Sequence, residues 1–326
     1  MKPPQIGRLP AGPRNSIADV AGVGVGHCTL AAGAVQTGVT VVVPHGGNPF
    51  MHKLPAAVAV INGFGKSAGL VQIEELGTLE SPIALTNTFA VGTVLTAQVR
   101  HAIAQNPECG RSQPTVNAVV MECNDGYLND LHAFAVQEQH FEHALAACGP
   151  DFAQGAVGAG RGMSSFEMKG GIGSASRLAG RYTVGALVLS NFGKLPDLVL
   201  DGRALGRELA ARATSDAAPE QGSIIIIIAT DAPLAARQLK RLAVRAGAGL
   251  ARTGSVYGHG SGDIALAFST AGPGELLADH VLDPLFHAVA DSVEQAIVNA
   301  LFAADGVAGR DGHHRRSLRD LLNEGN

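Results

Sequence analysis

The chain has 326 residues and a formal net charge of −4, and 46% of its residues are hydrophobic while 16% are charged. This length supplies ample chain for a sizeable core, and the composition excludes a disordered or solvating protein. The near-neutral charge provides no electrostatic attraction for nucleic acid or an anionic membrane, so neither is an expected partner.

Apolar runs of strand length alternate along the chain with glycine-rich turns and helical patterns. In chain order, strands are predicted at 39–47, 56–63, 117–126, 185–193, 222–233 and 262–270. Helices are predicted at 93–105, 130–147, 234–246 and 291–304. The five isoleucines at 224–228 are the strongest strand signal, because β-branched side chains disfavour helix. We find no internal repeat and no long linker, so the sequence predicts one mixed α/β unit over residues 1–326.

The cysteines and the apolar runs indicate the compartment. Cys28, Cys109, Cys123 and Cys148 have neither a CxxC pair nor metal-ligand spacing, which favours free thiols under reducing conditions. The first thirty residues contain no apolar stretch long enough for a secretion signal, and residues 224–228 are too few to span a bilayer. The sequence therefore predicts a soluble cytoplasmic protein that needs no metal or organic cofactor.

A small, polar segment at 213–221 comes directly before Gly222, Ser223 and the isoleucine strand. Its composition predicts an exposed, flexible connection that delivers a Gly-Ser pair to a rigid strand. There the serine hydroxyl can attack the preceding carbonyl, and hydrolysis of the ester would free the Ser223 α-amine. The reference pKa of an α-amine is about 8, so an unprotonated base is available near neutral pH. Taken alone, the pattern is more typical of an ordinary Gly-Ser turn that enters a strand.

Seven longer stretches, which run in order between residues 15 and 270, carry a family resemblance. They read NSIADVAGVGVGH, AVINGFGKSAGLVQIEELGTLESPIALTNTFAVG, MECNDGYLND, VGAGRGMSSFEMKGGIGSASR, VGALVLSNFG, GSIIIIIATDAPL and GSGDIALAFST. The sequence resembles the DmpA family of self-cleaving N-terminal-nucleophile aminopeptidases, which includes L-aminopeptidase/D-esterases and β-aminopeptidases. The resemblance implies a four-layer αββα sandwich and autocleavage after Gly222 into an α chain, 1–222, and a β chain, 223–326. It also implies that the two chains stay associated and that these pairs form homo-oligomers, usually tetramers.

The resemblance assigns Ser223 as the nucleophile and matches Ser261 and Asp263 to a serine and a carboxylate that relay protons. Some relatives carry Glu instead of Asp at the carboxylate position. Residues two apart in a strand face the same side, so Ser261 and Asp263 can reach one site. The group that takes the first proton is either the Ser223 α-amine or the Ser261–Asp263 pair, and the sequence leaves both open.

The resemblance also matches Asn191 to an oxyanion donor and Tyr127 to its supporting hydroxyl. Glu122, with Asp125 as the weaker candidate, would bind the free amino group of the substrate. Glu122 stands on an otherwise apolar strand, where an unpaired buried carboxylate would be costly, so a function is favoured for it. Asn191, Asp125 and Tyr127 each have a structural alternative, as a strand-end, turn or half-buried residue. Their occurrence together, in family order, favours function.

The expected activity is that of a serine aminopeptidase, amidase or esterase that removes a small N-terminal residue through an acyl enzyme on Ser223. Family members differ in preferring L-α, D-α or β-amino acid residues, and the sequence does not choose among them. One alternative is an acyltransferase of the ornithine acetyltransferase type, whose nucleophile is threonine. Another is a non-catalytic small-molecule-binding protein on the same fold. The basic tail that contains His313, His314 and Arg315 is expected to be solvated.

Overall fold

The computed structural model describes residues 2–211, 222–272 and 274–324, so the connection at 213–221 lies outside the described residues. The strands are β1 (Gly24–Ala32), β2 (Val35–Val43), β3 (Leu54–Gly63), β4 (Thr78–Leu79), β5 (Ile83–Asn87), β6 (Val119–Cys123), β7 (Ser164–Ser165), β8 (Met168–Lys169), β9 (Gly171–Ala179), β10 (Tyr182–Asn191), β11 (Ser223–Thr230), β12 (Gly262–Ser269), β13 (Val307–Ala308) and β14 (His314–Arg315). The α-helices are α1 (Leu70–Leu76), α2 (Val91–Gln105), α3 (Glu138–Ala146), α4 (Leu205–Ala210), α5 (Ala236–Arg252), α6 (Asp283–Ala303) and α7 (Leu318–Asn323). Within these ranges no helix combines the length and apolarity needed to cross a membrane.

Two sheets pack face to face between two layers of helices. One sheet has the strand order β1-β2-β5-β6, and the other has the order β4-β3-β12-β11-β10-β9. One buried apolar cluster joins the first sheet to α2 and α3, a second fills the space between the sheets, and a third joins the second sheet to α5 and α6. The predicted α/β class and the αββα sandwich are therefore confirmed.

The isoleucines of β11 show why this strand lies at the centre. Ile224, Ile226 and Ile228 belong to the cluster beneath the helices, whereas Ile225 and Ile227 belong to the cluster between the sheets. Alternate side chains thus enter two separate apolar layers, as expected of a strand buried on both faces. Full burial of each isoleucine stabilises the fold by about 1.5–3 kcal/mol.

The predicted elements can be compared directly with the observed ones. All six predicted strands occur, as β2, β3, β6, β10, β11 and β12, although β2, β6, β10 and β11 end before their predicted boundaries. The helices predicted at 93–105, 234–246 and 291–304 are confirmed as α2, α5 and α6. The helix predicted at 130–147 is wrong over its first part, because a 3-10 turn at Leu131–Ala133 and Phe134, with φ of 44°, precede α3. A left-handed residue cannot continue a right-handed α-helix.

Strand β9 was not predicted, because polar residues occupy much of its buried surface. Ser174 Oγ accepts a hydrogen bond of 2.8 Å from the Ile17 amide, and the buried Arg177 donates to the Ile6 carbonyl at 2.6 Å. These bonds tie the N-terminal segment across the sheet. The strand therefore lacks the run of large apolar residues by which a buried strand is recognised in sequence.

Candidate active site

Four neighbouring strand ends form one row of paired residues at an edge of the six-stranded sheet. Asn191 at the end of β10 pairs with Ser223, Ser223 pairs with Gly262 at the start of β12, and Gly262 pairs with Gly63 at the end of β3. We call Gly63, Gly262, Ser223 and Asn191 the Ser223 row. With strands about 4.8 Å apart, the row is about 14 Å wide. It brings the predicted nucleophile and the predicted oxyanion donor side by side.

The predicted proton-relay pair lies against the same row. Ser223 is buried, and its Oγ accepts a hydrogen bond of 3.1 Å from the Gly262 amide. On either side of Gly262, Ser261 Oγ donates to Asp263 Oδ1 at 2.6 Å, and both side chains are buried. A hydroxyl that donates to a carboxylate leaves its oxygen lone pairs available to receive a proton.

Gly222, directly before Ser223, occupies a position where any side chain would collide with the backbone of neighbouring residues. A Cβ atom at Gly222 would lie 2.6 Å from the carbonyl oxygen of Asn191 and 2.6 Å from the Cα of Phe192. Backbone atoms cannot move aside as a flexible side chain can, so the close approach requires glycine. The Gly222–Ser223 peptide thus lies against the end of β10.

Two backbone groups hold the side-chain amide of Asn191. Its Nδ2 donates to the Asn124 carbonyl at 2.9 Å, and its Oδ1 accepts from the Ser164 amide at 2.8 Å. This bonding pattern fixes the rotamer of Asn191. It also fixes which end of the amide is the donor, and that donor nitrogen carries a second hydrogen.

Glu122 lies on β6, buried beside the Gly262 side of the row. Its Oε1 accepts from the Lys66 amide at 2.8 Å, and its Oε2 accepts from the Thr88 hydroxyl. A Cβ at Gly65 would lie 3.8 Å from Glu122 Oε1 and 3.8 Å from the Cα of Gly262. Glu122 and Gly262 therefore both lie next to Gly65.

The pKa of the Cys123 thiol shows which of the predicted carboxylates lie near it. Burial raises the pKa of this thiol well above its usual value, and the charges of Glu122, Asp263 and Asp125 raise it further. Glu122, Asp263 and Asp125 therefore all lie close enough to Cys123 to act on it electrostatically.

Asp125 is turned towards the protein interior. Its Oδ1 accepts from Asn129 Nδ2 at 3.0 Å, and its backbone carbonyl accepts from the Leu128 and Asn129 amides. Burial raises the pKa of Asp125 to about 7, against hydrogen bonds from Thr37 and Asn129 and the charge of Lys169. Among the described residues, these contacts hold the turn after β6 rather than the Ser223 row.

Tyr127 is half exposed on that turn and is contacted by the C-terminal hairpin. The His313 ring stacks on it at 4.6 Å between centroids, and the Arg315 guanidinium carbon lies 3.7 Å from the ring centroid. The expectation of a solvated tail is therefore wrong for these two residues. The sequence signal for this shared contact was the spacing of His313 and Arg315, because side chains two apart on an extended chain face the same side.

Sequence reasoning missed several residues that orient the site. Three of them act through backbone atoms, namely the Lys66 and Ser164 amides and the Asn124 carbonyl. Every residue type except proline offers these same groups, so no side-chain pattern marks them. The Thr88 hydroxyl could have been found, because it follows the β5 strand that pairs in parallel with β6.

Cavities of about 340 Å³ and 610 Å³ lie at the opposite end of the sandwich, near Glu80 and Ser269 respectively. The candidate site lies at the Ser223 row and not in these cavities, because the hydroxyls of Thr230 and Ser269 at the opposite end donate to backbone carbonyls. In the described part of the chain, no group of three or more His, Cys, Asp or Glu side chains is arranged to hold a metal ion.

The chain is similar to known proteins in sequence and in structure. A sequence model of Peptidase family S58 matches residues 15–315. The chain is 40% identical to the β-peptidyl aminopeptidase BapA of Sphingosinicella microcystinivorans, over 93% of this chain and 85% of that protein.

Two solved structures have the same fold. The PH0078 protein from Pyrococcus horikoshii OT3 matches with a TM-score of 0.93 and 47% identity, over 98% of this chain and 96% of that one. The L-aminopeptidase D-Ala-esterase/amidase from Ochrobactrum anthropi matches with a TM-score of 0.84 and 33% identity, over 98% of this chain and 97% of that one. The latter is described as a prototype for the serine aminopeptidases and a variant of the Ntn hydrolase fold.

Proposed function

The chain belongs to Peptidase family S58 and is an aminopeptidase, and from this premise we propose that it cleaves itself after Gly222 and then uses Ser223 as its nucleophile. It releases a small N-terminal L-, D- or β-amino acid from short peptides, amides or esters. The observation that carries the proposal is the Ser223 row, where a buried hydroxyl lies between a hydroxyl–carboxylate pair and an oriented amide.

Self-cleavage begins when Ser223 Oγ attacks the carbonyl carbon of Gly222. The C–N bond breaks, the Ser223 nitrogen takes a proton, and the acyl group is then held as an ester on Oγ. Water hydrolyses the ester, which leaves the Gly222 carboxylate and a free Ser223 α-amine. The close approach of Gly222 to the backbone of Asn191 and Phe192 supports this step, because it fixes the Gly222–Ser223 peptide against the end of β10.

The strand order supports stable association of the two chains after cleavage. Strands β11 and β12 would belong to the β chain, yet they pair with β10 and β3 of the α chain on their two sides. Separation would break two strand interfaces and expose apolar faces on both sides of the sheet. Assembly of these αβ pairs into a homotetramer is part of the proposal and follows the family resemblance.

In turnover, Ser223 Oγ attacks the substrate carbonyl and its proton passes either to the new α-amine or to the Ser261–Asp263 pair. The proton then goes to the leaving amine as the C–N bond breaks, and water hydrolyses the acyl enzyme. The second Nδ2 hydrogen of Asn191 is the proposed donor to the tetrahedral oxyanion, with the Tyr127 hydroxyl as its support. A single donor of this kind contributes about 3–4 kcal/mol to lowering the barrier.

Glu122 is the proposed anchor for the free amino group of the substrate. Two hydrogen bonds hold its carboxylate rigid, so little conformational entropy is lost when an ammonium group binds. Asp125 remains the weaker candidate, because its described contacts are with the turn that carries Tyr127.

The test is Ser223→Ala, examined by denaturing mass spectrometry and by hydrolysis of a panel of aminoacyl p-nitroanilides. We expect one full-length chain and no turnover. The matched control is Ser112→Ala, on an exposed loop, which should be cleaved and active like the wild type. A Ser223→Ala protein that still splits or still hydrolyses substrate would require another nucleophile.

A further inference from the structure

Glu122 and Arg315 carry opposite charges on opposite sides of Ser223. Across the sheet the row runs from Gly63 and Gly262 through Ser223 to Asn191. Glu122 lies on the Gly262 side. Arg315 is connected to the Asn191 side, because its Nε donates to Ser164 Oγ at 3.3 Å and the Ser164 amide donates to Asn191.

The environment of Arg315 differs from that of its neighbours. It is partly buried over the Tyr127 ring, and burial lowers its pKa against the charges of Tyr127 and Glu167. The ion pairs found among the described residues near this hairpin are those of Arg310, Arg316 and Arg319, and none of them involves Arg315. The adjacent Arg316, by contrast, pairs with Glu324. A partly desolvated guanidinium favours an anion, and its planar fork matches a carboxylate.

We propose that Arg315 binds a carboxylate on the leaving-group side of the substrate, so that the preferred substrates are short peptides with a free C-terminus. This inference rests on the proposed function, since it uses Glu122 as the amine anchor and Ser223 as the point of cleavage. The Gly262 and Asn191 strands are two strand spacings apart, about 10 Å, which is the length of about three extended residues. A dipeptide or tripeptide can therefore place its ammonium at Glu122 and its carboxylate towards Arg315, with the scissile bond at Ser223.

The test compares three tripeptide substrates that begin with the same N-terminal residue, chosen from L-alanine, D-alanine and β-alanine. The first ends in a free carboxylate, the second in a carboxamide, and the third has a carboxamide end and a glutamate side chain in the last position. We expect the wild type to prefer the first over the second by about 10- to 100-fold in kcat/KM, mainly through KM. If the third substrate is as good as the first, the enzyme does not select a free C-terminus, which overturns that part of the inference.

Arg315→Gln should remove the preference, and Arg315→Lys should retain part of it because the charge is kept. Arg316→Gln is the matched control and should preserve the wild-type ratio, since its partner is Glu324. A role limited to packing against Tyr127 would lower both rates equally and leave the ratio unchanged, which overturns the inference. Wild-type enzyme that hydrolyses acid and amide equally overturns it without any variant. If the wild type hydrolyses neither peptide, the proposed function falls as well.

Discussion

The two ends of the sandwich contain the same kinds of buried polar side chain in different bonding. The end that carries the Ser223 row has the hydroxyls of Ser223 and Ser261 and the carboxylate of Glu122. The opposite end has Thr230, Ser269 and Glu80, all of them also buried. Strands β11 and β12 run from one end to the other, so the two sets share one scaffold.

The bonding partners separate the two ends. Thr230 donates to the Thr183 carbonyl at 2.8 Å and Ser269 donates to the Ala232 carbonyl at 2.6 Å, so both hydroxyls tie down backbone. Both of them also accept from a backbone amide, as Ser223 does, whereas Ser261 donates to the Asp263 carboxylate. Burial and residue type therefore do not separate these two ends, whereas the Ser261–Asp263 pair beside the Ser223 row does.

The largest difference is expected between Ser261→Ala and Ser269→Ala, one at each end of β12. Ser261→Ala should lower kcat about 10²- to 10³-fold, because a proton-relaying group is lost. Ser269→Ala should leave kcat within about twofold and lower the free energy of unfolding by about 1 kcal/mol, because a buried carbonyl loses its donor. The measurements are kcat on an aminoacyl p-nitroanilide, normalised to the cleaved fraction from intact mass, and urea denaturation. Equal loss of activity in both variants would contradict the comparison.

The same comparison shows what could be predicted from sequence. The isoleucine strand could be identified because five β-branched residues fit one environment, and Glu122 stood out because a carboxylate interrupts an apolar strand. The assignments of Ser223, Ser261, Asp263 and Asn191 depended on the family resemblance, since isolated Ser, Asp and Asn residues at strand ends are common. The amides of Lys66 and Ser164 could not be found at all, because a backbone donor has no residue type.

A smaller difference is expected between Glu122→Gln and Glu80→Gln. Glu122→Gln removes the proposed anchor's charge and should lower kcat/KM about 10- to 100-fold for substrates with a free amine, mainly through KM. Hydrolysis of the matching ester without the amine should change little. Glu80 is held by Lys53 and by Asn117, so Glu80→Gln should reduce stability and spare both substrates. Equal losses on the two substrates in Glu122→Gln would show that Glu122 supports the fold rather than the amine.

The last difference is expected in the pH dependence of stability, where the two ends should differ in sign. Burial raises the pKa of Asp125 to about 7, so the folded protein pays to ionise this group as pH rises from about 4 to about 7. Asp125→Asn removes that cost, and its stability relative to the wild type should rise over this range by up to about 4 kcal/mol. Burial opposes ionisation of Glu80 too, but hydrogen bonds from Lys53 and Asn117 lower its pKa below the usual value. Glu80 therefore stabilises the fold above about pH 4, and Glu80→Gln should lose stability at pH 7 and little at the acid end.

Urea denaturation of both variants at pH 3, 4.5, 6 and 8 measures the two slopes, because the Glu80 contribution changes below about pH 4.5 and the Asp125 contribution changes between about pH 4 and pH 7. Opposite slopes would assign Asp125 to the turn beneath Tyr127, as its bond to Asn129 indicates. If Asp125→Asn shows no change of slope but loses the preference for substrates with a free amine, Asp125 binds the amino group together with Glu122. Glu122, Asp125 and Asp263, the three carboxylates near Cys123, would then all belong to the catalytic end, because all three would face the substrate.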